Sequence, residues 1–253
     1  MRSLPYNALP SGLPQACVGA PSGPNVTSSA GGMIGKMIPD SRFMTLFDDF
    51  IGGGSVSSTD DILGWNLKLG TGCTAPTSDA EGGRIVITMD GTDDDEVLVQ
   101  TGHEWFLFDT DKRLYLEAKW QQSRTDSSVF IGLQAFDGGL GDANATVLNA
   151  DHIGISLPET ASISCSFSDG TTDTATDTTS DITAATDVVV AMYYDGAGAA
   201  NGKWYFFVDG VQKGTSSVTT GPDQLLAFQM ACRVGSANAA TVSVDYVYCT
   251  AEL

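Results

Sequence analysis

Two histidines, five cysteines and one dense run of carboxylates are what this chain offers to nucleophilic, acid–base or metal chemistry. His103 sits in Gly102-His-Glu104 and His152 in Asp151-His-Ile153, and neither has a Gly-x-Ser-x-Gly nucleophile nearby in the sequence. Glycoside hydrolysis requires two carboxyl groups at a defined separation. Glu117 has Lys119 and Gln121 at the next positions on its own face, so it brings no second carboxylate and reads as a solvated, outward residue. On these grounds the chain is expected not to be an enzyme. The run Asp90-Gly-Thr-Asp-Asp-Asp-Glu96, and Asp109-Thr-Asp111 after it, have the oxygens a hard cation takes, but not the glycine and terminal glutamate of a calcium-binding loop. Both read as solvated turns. Cys17, Cys73, Cys165, Cys232 and Cys249 form no Cys-x-x-Cys pair, so no metal and no cofactor are expected, and Cys232 and Cys249 read as small buried hydrophobes.

Sugar-binding surfaces present exposed aromatic rings. Of Trp65, Trp105, Trp120 and Trp204, the alternation puts Trp120 and Trp204 in a core. Trp105, in His103-Glu-Trp-Phe-Leu-Phe108, is the best candidate for a glycan-stacking aromatic, with a core position as its alternative.

The elements that must position these groups are strands. In Arg113-Leu-Tyr-Leu-Glu-Ala-Lys-Trp120, Leu114, Leu116, Ala118 and Trp120 fall on one face, and Arg113, Tyr115, Glu117 and Lys119 on the other. Successive strand side chains point to opposite faces, so this is a strand with one dry and one wet side. Similar segments are expected near 44–50, 65–69, 84–89, 96–101, 104–108, 113–122, 128–136, 152–157, 162–167, 187–194, 203–209, 224–234 and 241–249. Val188-Val-Val-Ala-Met-Tyr-Tyr194 is apolar on both faces, as a central strand covered on both sides would be. Glycine-rich turns fall at 52–58, 138–141 and 196–202, and the Thr/Asp/Ser-rich stretch 168–186 reads as a long exposed hairpin or loop. No sustained helical period appears. The fold expected is all-β, a two-sheet antiparallel jelly-roll sandwich over residues 43–253. Its core should include Leu114, Leu116, Trp120, Ile131, Leu133, Ile153, Ile155, Val190, Phe206, Phe228, Val244 and Tyr246.

Residues 1–42 differ from the rest, with six of the nine prolines. Proline removes a ladder donor, so this part reads either as a disordered tail or as an extended Pro/Gly-rich arm that orders on a partner, with Leu4, Tyr6, Leu9 and Leu13 available to fill pockets there. The formal charge of -19, from 31 acidic and 12 basic side chains, argues against nucleic acid, whose binding needs Lys and Arg at phosphates, and against anionic membranes. The first residues lack the apolar core of a secretory signal, and no run of 18 apolar residues is present.

Three segments in order resemble the concanavalin-like or laminin-G-like jelly roll: Leu114-Tyr-Leu-Glu-Ala-Lys119, Trp204-Tyr-Phe-Phe-Val-Asp-Gly-Val-Gln-Lys213, a strand entering a tight Asp-Gly turn and leaving again, and Val242-Ser-Val-Asp-Tyr-Val-Tyr248. Glycosidases of that group carry Glu-x-Asp-x-(x)-Glu on one strand, which this sequence lacks. The whole chain also resembles, in style, the structural proteins of tailed-phage particles: a Pro/Gly-rich arm, then a Gly/Thr/Asp/Ala-rich jelly roll. That resemblance implies a capsid decoration (cement) protein on the virion surface, made in the host cytoplasm. Its partners would be the major capsid protein and neighbouring copies of itself in a homo-oligomer. The alternative is a carbohydrate-binding, lectin-like module of a tail fibre or cell-surface protein.

Overall fold

A computed structural model describes residues 43–48, 65–78, 83–92, 95–135, 151–159, 162–171, 173–217, 221–236 and 238–253. The arm, with Leu4, Tyr6, Leu9 and Leu13, lies outside the described residues, as do the turns expected at 52–58 and 138–141.

Sixteen strands and no helix occur among the described residues. In chain order they are β1 (Phe43–Asp48), β2 (Trp65–Leu69), β3 (Thr74–Ser78), β4 (Ile85–Met89), β5 (Glu96–Thr101), β6 (Phe106–Leu107), β7 (Leu114–Gln122) and β8 (Ser127–Gln134). There follow β9 (His152–Leu157), β10 (Ser164–Ser168), β11 (Asp173–Asp177), β12 (Val188–Tyr194), β13 (Lys203–Val208), β14 (Val211–Ser217), β15 (Leu225–Val234) and β16 (Ala240–Glu252). The first sheet runs β14-β13-β12-β7-β16-β4-β3, with β1 beside β16. The second runs β11-β10-β9-β8-β15-β5-β2, with β6 beside β15. The described pairings are antiparallel, so the expected two-sheet jelly roll is what the chain forms. No helix is long and apolar enough to cross a membrane among these residues.

The inner faces interlock as the alternation requires. Leu114, Leu116, Ala118 and Trp120 from the first sheet meet Ile131, Leu133, Ile153, Ile155, Phe228 and Met230 from the second. Cys165, Cys232 and Cys249 join them as small buried hydrophobes. Trp204 packs among rings: Phe108 at 5.8 Å and Phe167 at 6.0 Å lie nearly parallel to it, and Tyr194 stands at 5.1 Å.

β3, β11 and β14 are not among the strand segments expected from the sequence, although β11 falls in the stretch read as a long hairpin or loop and β14 is the strand that leaves the Asp-Gly turn of Trp204–Lys213. Each is the outermost strand of a sheet. An edge strand buries little on either face, so β14 is polar and exposed along its length, β11 hides in a Thr/Asp tract, and β3 tolerates Pro76. The missing signal is a direct result of the missing burial.

Tyr246 corrects the core expected from the sequence. It is buried, but on the outer face of the first sheet and not between the sheets. The register of β16 against β7 shifts between Val244 and Tyr246, where Asp245 is the extra residue of a bulge. One inserted residue inverts the parity of everything after it. Val242 and Val244 point inward before the bulge, Val247 and Cys249 after it, and Tyr246 and Tyr248 are turned outward.

The Asp209-Gly210 turn between β13 and β14 has φ of 48° and 75° at its two residues, the left-handed pair that a two-residue hairpin needs. Gly210→Val is therefore expected to lower stability by about 1–2 kcal/mol. An unchanged urea midpoint would show that the hairpin does not depend on that conformation.

Candidate functional site

The outer face of the second sheet begins at one end with an apolar row. On β15, Leu226, Phe228, Met230 and Cys232 face the core, so Leu225, Ala227, Gln229 and Ala231 face away from it. Leu107 of β6 stands opposite Leu225, and the chain just before it is held by the Trp105 amide donating to the Leu226 carbonyl at 2.9 Å. Phe106 and Phe108 point into the core, which turns Trp105 and Leu107 outward. Trp105 is 43% exposed, Leu107 52% and Leu225 47%. The turn that presents them is tied down by Thr101, whose hydroxyl donates to the His103 carbonyl at 3.0 Å and accepts from the Phe228 amide at 3.1 Å. The His103 ring lies 6.3 Å from the Trp105 indole, tilted by 41°. Of the four tryptophans, Trp105 is thus the exposed one, while Trp65, Trp120 and Trp204 are buried.

Further along the same face the lining becomes polar. The Gln229 side-chain amide donates to Gln134 at 2.5 Å, and His152 and Ser166 share a hydrogen bond of 3.1 Å. His152 and Ser166 come from β9 and β10, 14 residues apart, so sequence proximity could not have paired them. Both are buried, with the Phe130 ring set edge-on to the imidazole at 5.8 Å. A Cβ at Gly154 would overlap that Phe130 ring, so glycine there makes room for it.

Glu117 is the second correction. Expected to be solvated, it is 2% exposed on the outer face of the first sheet. The hydroxyl of Tyr115 donates to Glu117 Oε2, and that of Tyr246 donates to Oε1 at 2.5 Å. Burial pushes the Glu117 pKa up to about 7, and the two hydroxyls pull against that rise without cancelling it. A signal for this was present in the sequence. Val188–Tyr194 is apolar on both faces, and β12 places Val189, Ala191 and Tyr193 opposite Lys119, Glu117 and Tyr115. A strand covered on both sides implies that its neighbour is covered too.

Beyond Glu117, Lys119 Nζ bridges Asp245 at 2.5 Å and Asp187 at 3.2 Å, and Arg84 grips Asp187 with two hydrogen bonds of 2.9 and 2.8 Å. These groups border a shallow depression of about 560 Å³ lined by Arg84, Gln121, Thr186, Asp187 and Ser243. Cations and carboxylates are matched there, and the network ties β4, β7, β12 and β16 together.

A thiol and two carboxylates from Cys73, Asp90 and Asp95 come within 4.8 Å of one another, the described group closest to a metal donor set. Asp90 is held by the Thr92 amide at 2.8 Å, as the turn reading of that acidic run requires. Burial and the Asp90 carboxyl push the Asp95 pKa up, and burial pushes the Cys73 thiol up, away from the thiolate a metal takes. Asp90 and Asp95 are hydrogen-bonded to each other beside the Cys73 thiol.

No family model and no curated protein matches the sequence. Solved structures do match in fold. One is the carbohydrate recognition domain of Emp47p, with a TM-score of 0.58 and 12% identity over 85% of this chain and 98% of that one. Another is an endo-1,3-beta-glucanase from Streptomyces sioyaensis, with a TM-score of 0.58 and 14% identity over 85% and 98%. A third is an endo-beta-1,4-glucuronan lyase from Trichoderma reesei, with a TM-score of 0.51 and 12% identity over 82% and 95%. At such identities the likeness is one of fold, the concanavalin-like or lectin-like β-sandwich. It also corrects the expectation that the chain is not an enzyme. Two of these three structures are polysaccharide-degrading enzymes, so the lack of a paired-carboxylate motif in the sequence does not put the chain outside the catalytic members of its fold.

Proposed function

We propose that this chain is a carbohydrate-binding, lectin-like module that stacks a sugar ring on Trp105. The observation that carries the reading is the outward row Trp105, Leu107 and Leu225, the large apolar side chains exposed on the described part of a sheet whose other large apolar side chains are buried or partly buried. An indole face with aliphatic neighbours suits the C–H face of a pyranose, and the backbone beneath it is fixed by paired strands, so little entropy is lost on binding. The recognition domain among its structural neighbours supports the class of ligand, while its identity with this chain is too low to transfer a site. A phage-head role rests on the compositional resemblance alone, and no finding about the fold adds to it.

Trp105→Ala is expected to weaken binding to immobilised oligosaccharide about tenfold, the equivalent of about 1.4 kcal/mol, with an unchanged melting temperature because the side chain is exposed. Affinity electrophoresis through glycan-containing gels measures this directly. Equal retardation of the variant and the parent would remove Trp105 from the site.

A further inference from the structure

The outer face of the first sheet is dry, although it points away from the core. Strand register sets its side chains in rows. Thr250 of β16, Tyr115 of β7 and Tyr193 of β12 make one row, and Tyr248, Glu117, Ala191 and Phe207 make the next. None of these side chains is more than 5% exposed. A sheet face open to water would leave part of each tyrosine ring wet. The Arg113–Glu252 ion pair, at 2.9 Å, borders only one end of the first row. The described strands that pack closely on β7, β12 and β16 are their partners in the sheet or lie on its inner side.

We infer that this face is the docking surface of residues 31–42 of the same chain, with Met33, Ile34, Met37 and Ile38 laid over the tyrosines. β1 brings the chain in beside the first row. Phe43 pairs with Glu252 and Thr45 with Thr250, and the two threonine hydroxyls share a hydrogen bond of 3.0 Å. From β16 to β13 the face is three strand spacings wide, about 15 Å. About five extended residues cross that distance, so the stretch before β1 is long enough. Its sequence, Gly31-Gly-Met-Ile-Gly-Lys-Met-Ile-Pro39, puts apolar side chains in two adjacent pairs. Pro39 favours an extended Ile38 and offers no amide to a ladder, which suits a chain lying on a face more than one joining an edge. Methionine thioethers pack well against aromatic rings. The stretch 49–64 also adjoins β1, but it leads away from this face. The residues on either side of it meet where the Trp65 indole donates to Asp48 at 2.8 Å, and β2 belongs to the second sheet. The inference does not rest on the carbohydrate reading, whose row is on the other sheet.

The test uses the full chain with the photo-crosslinker benzoylphenylalanine in place of Met37. On irradiation the crosslinks should form within one chain and map by mass spectrometry to peptides of β7, β12, β13 or β16. Crosslinks to the second sheet, or none, would overturn the inference. Crosslinked dimers would overturn it in favour of the same stretch from a second copy. Hydroxyl-radical footprinting gives a second readout. The full chain with Met37→Asp and Ile38→Asp should show several-fold greater oxidation of Tyr115, Tyr193 and Tyr248. Tyr194, which faces the core, should be unchanged. Unchanged oxidation at all four would mean that residues 31–42 do not cover the face. A rise at Tyr194 as well would mark general unfolding of that variant, and the crosslink then decides.

Discussion

Trp204→Ala should lower the unfolding free energy by about 4 kcal/mol, within the range for removing a buried aromatic ring. The indole is fully buried and in contact with three rings from three other segments, Phe108, Phe167 and Tyr194. Phe167 comes from the second sheet, so the cavity would open across the interface that holds the sandwich together. Its ring nitrogen is buried with no acceptor among the described residues. Trp204→Phe should therefore cost much less than Trp204→Ala, because it keeps most of the stacking and removes an unsatisfied donor. Denaturant unfolding of the two variants measures both quantities. A loss near zero for Trp204→Ala would mean that the ring is not enclosed, and equal losses for both would mean that the stacking contributes nothing.

The stability of the domain should also fall as pH rises from about 4.5 to about 7, by on the order of 3 kcal/mol through Glu117 alone. In the folded chain this carboxyl titrates at about 7, against an ordinary value of 4.5. Below both values it is protonated whether the chain is folded or not, and its contribution to stability is complete. Between them the unfolded chain releases a proton that the folded chain still holds, and stability declines. Above the folded value both states are ionised and the decline stops. Other groups titrate as well; Asp126, held at about 2 by its Arg124 partner, contributes in the opposite sense at more acid pH. The measurement is thus a difference between the parent and Glu117→Gln across that window. The variant keeps an acceptor for one tyrosine and should lack this component of the slope. Parallel curves would show that the carboxyl ionises freely in the folded state, and hence that its side chain reaches water.

Much of the architecture is legible in single strands. Leu114, Leu116, Ala118 and Trp120 were assignable to the core because a strand with one dry side has to alternate, and all four are buried there. The doubly apolar Val188–Tyr194 was legible for a related reason, and β12 indeed lies between β13 and β7. Cys232 and Cys249, apart from any ligand-like spacing, were readable as core residues. The Asp209-Gly210 turn could be seen because only a few residue pairs tolerate its backbone.

The tertiary structure decided what depends on a neighbour. Whether Glu117 meets water is set by what packs over β7, and no property of the residues flanking it in sequence specifies that. The parity of β16 changes at Asp245 because the strand it pairs with requires an extra residue there, so the same Val-Ser-Val-Asp-Tyr-Val-Tyr pattern puts valine inward and then tyrosine outward. Edge strands β3, β11 and β14 exist through the pairing of one backbone with the next, a bond that leaves no mark on side-chain polarity. Trp105 could be nominated from its surroundings, but its exposure follows from the pairing of Leu107 with Leu225, more than a hundred residues away along the chain. Local alternation records which face of a strand is dry; what covers that face, and what gathers at its end, is a contact between distant segments and is written only in the folded chain.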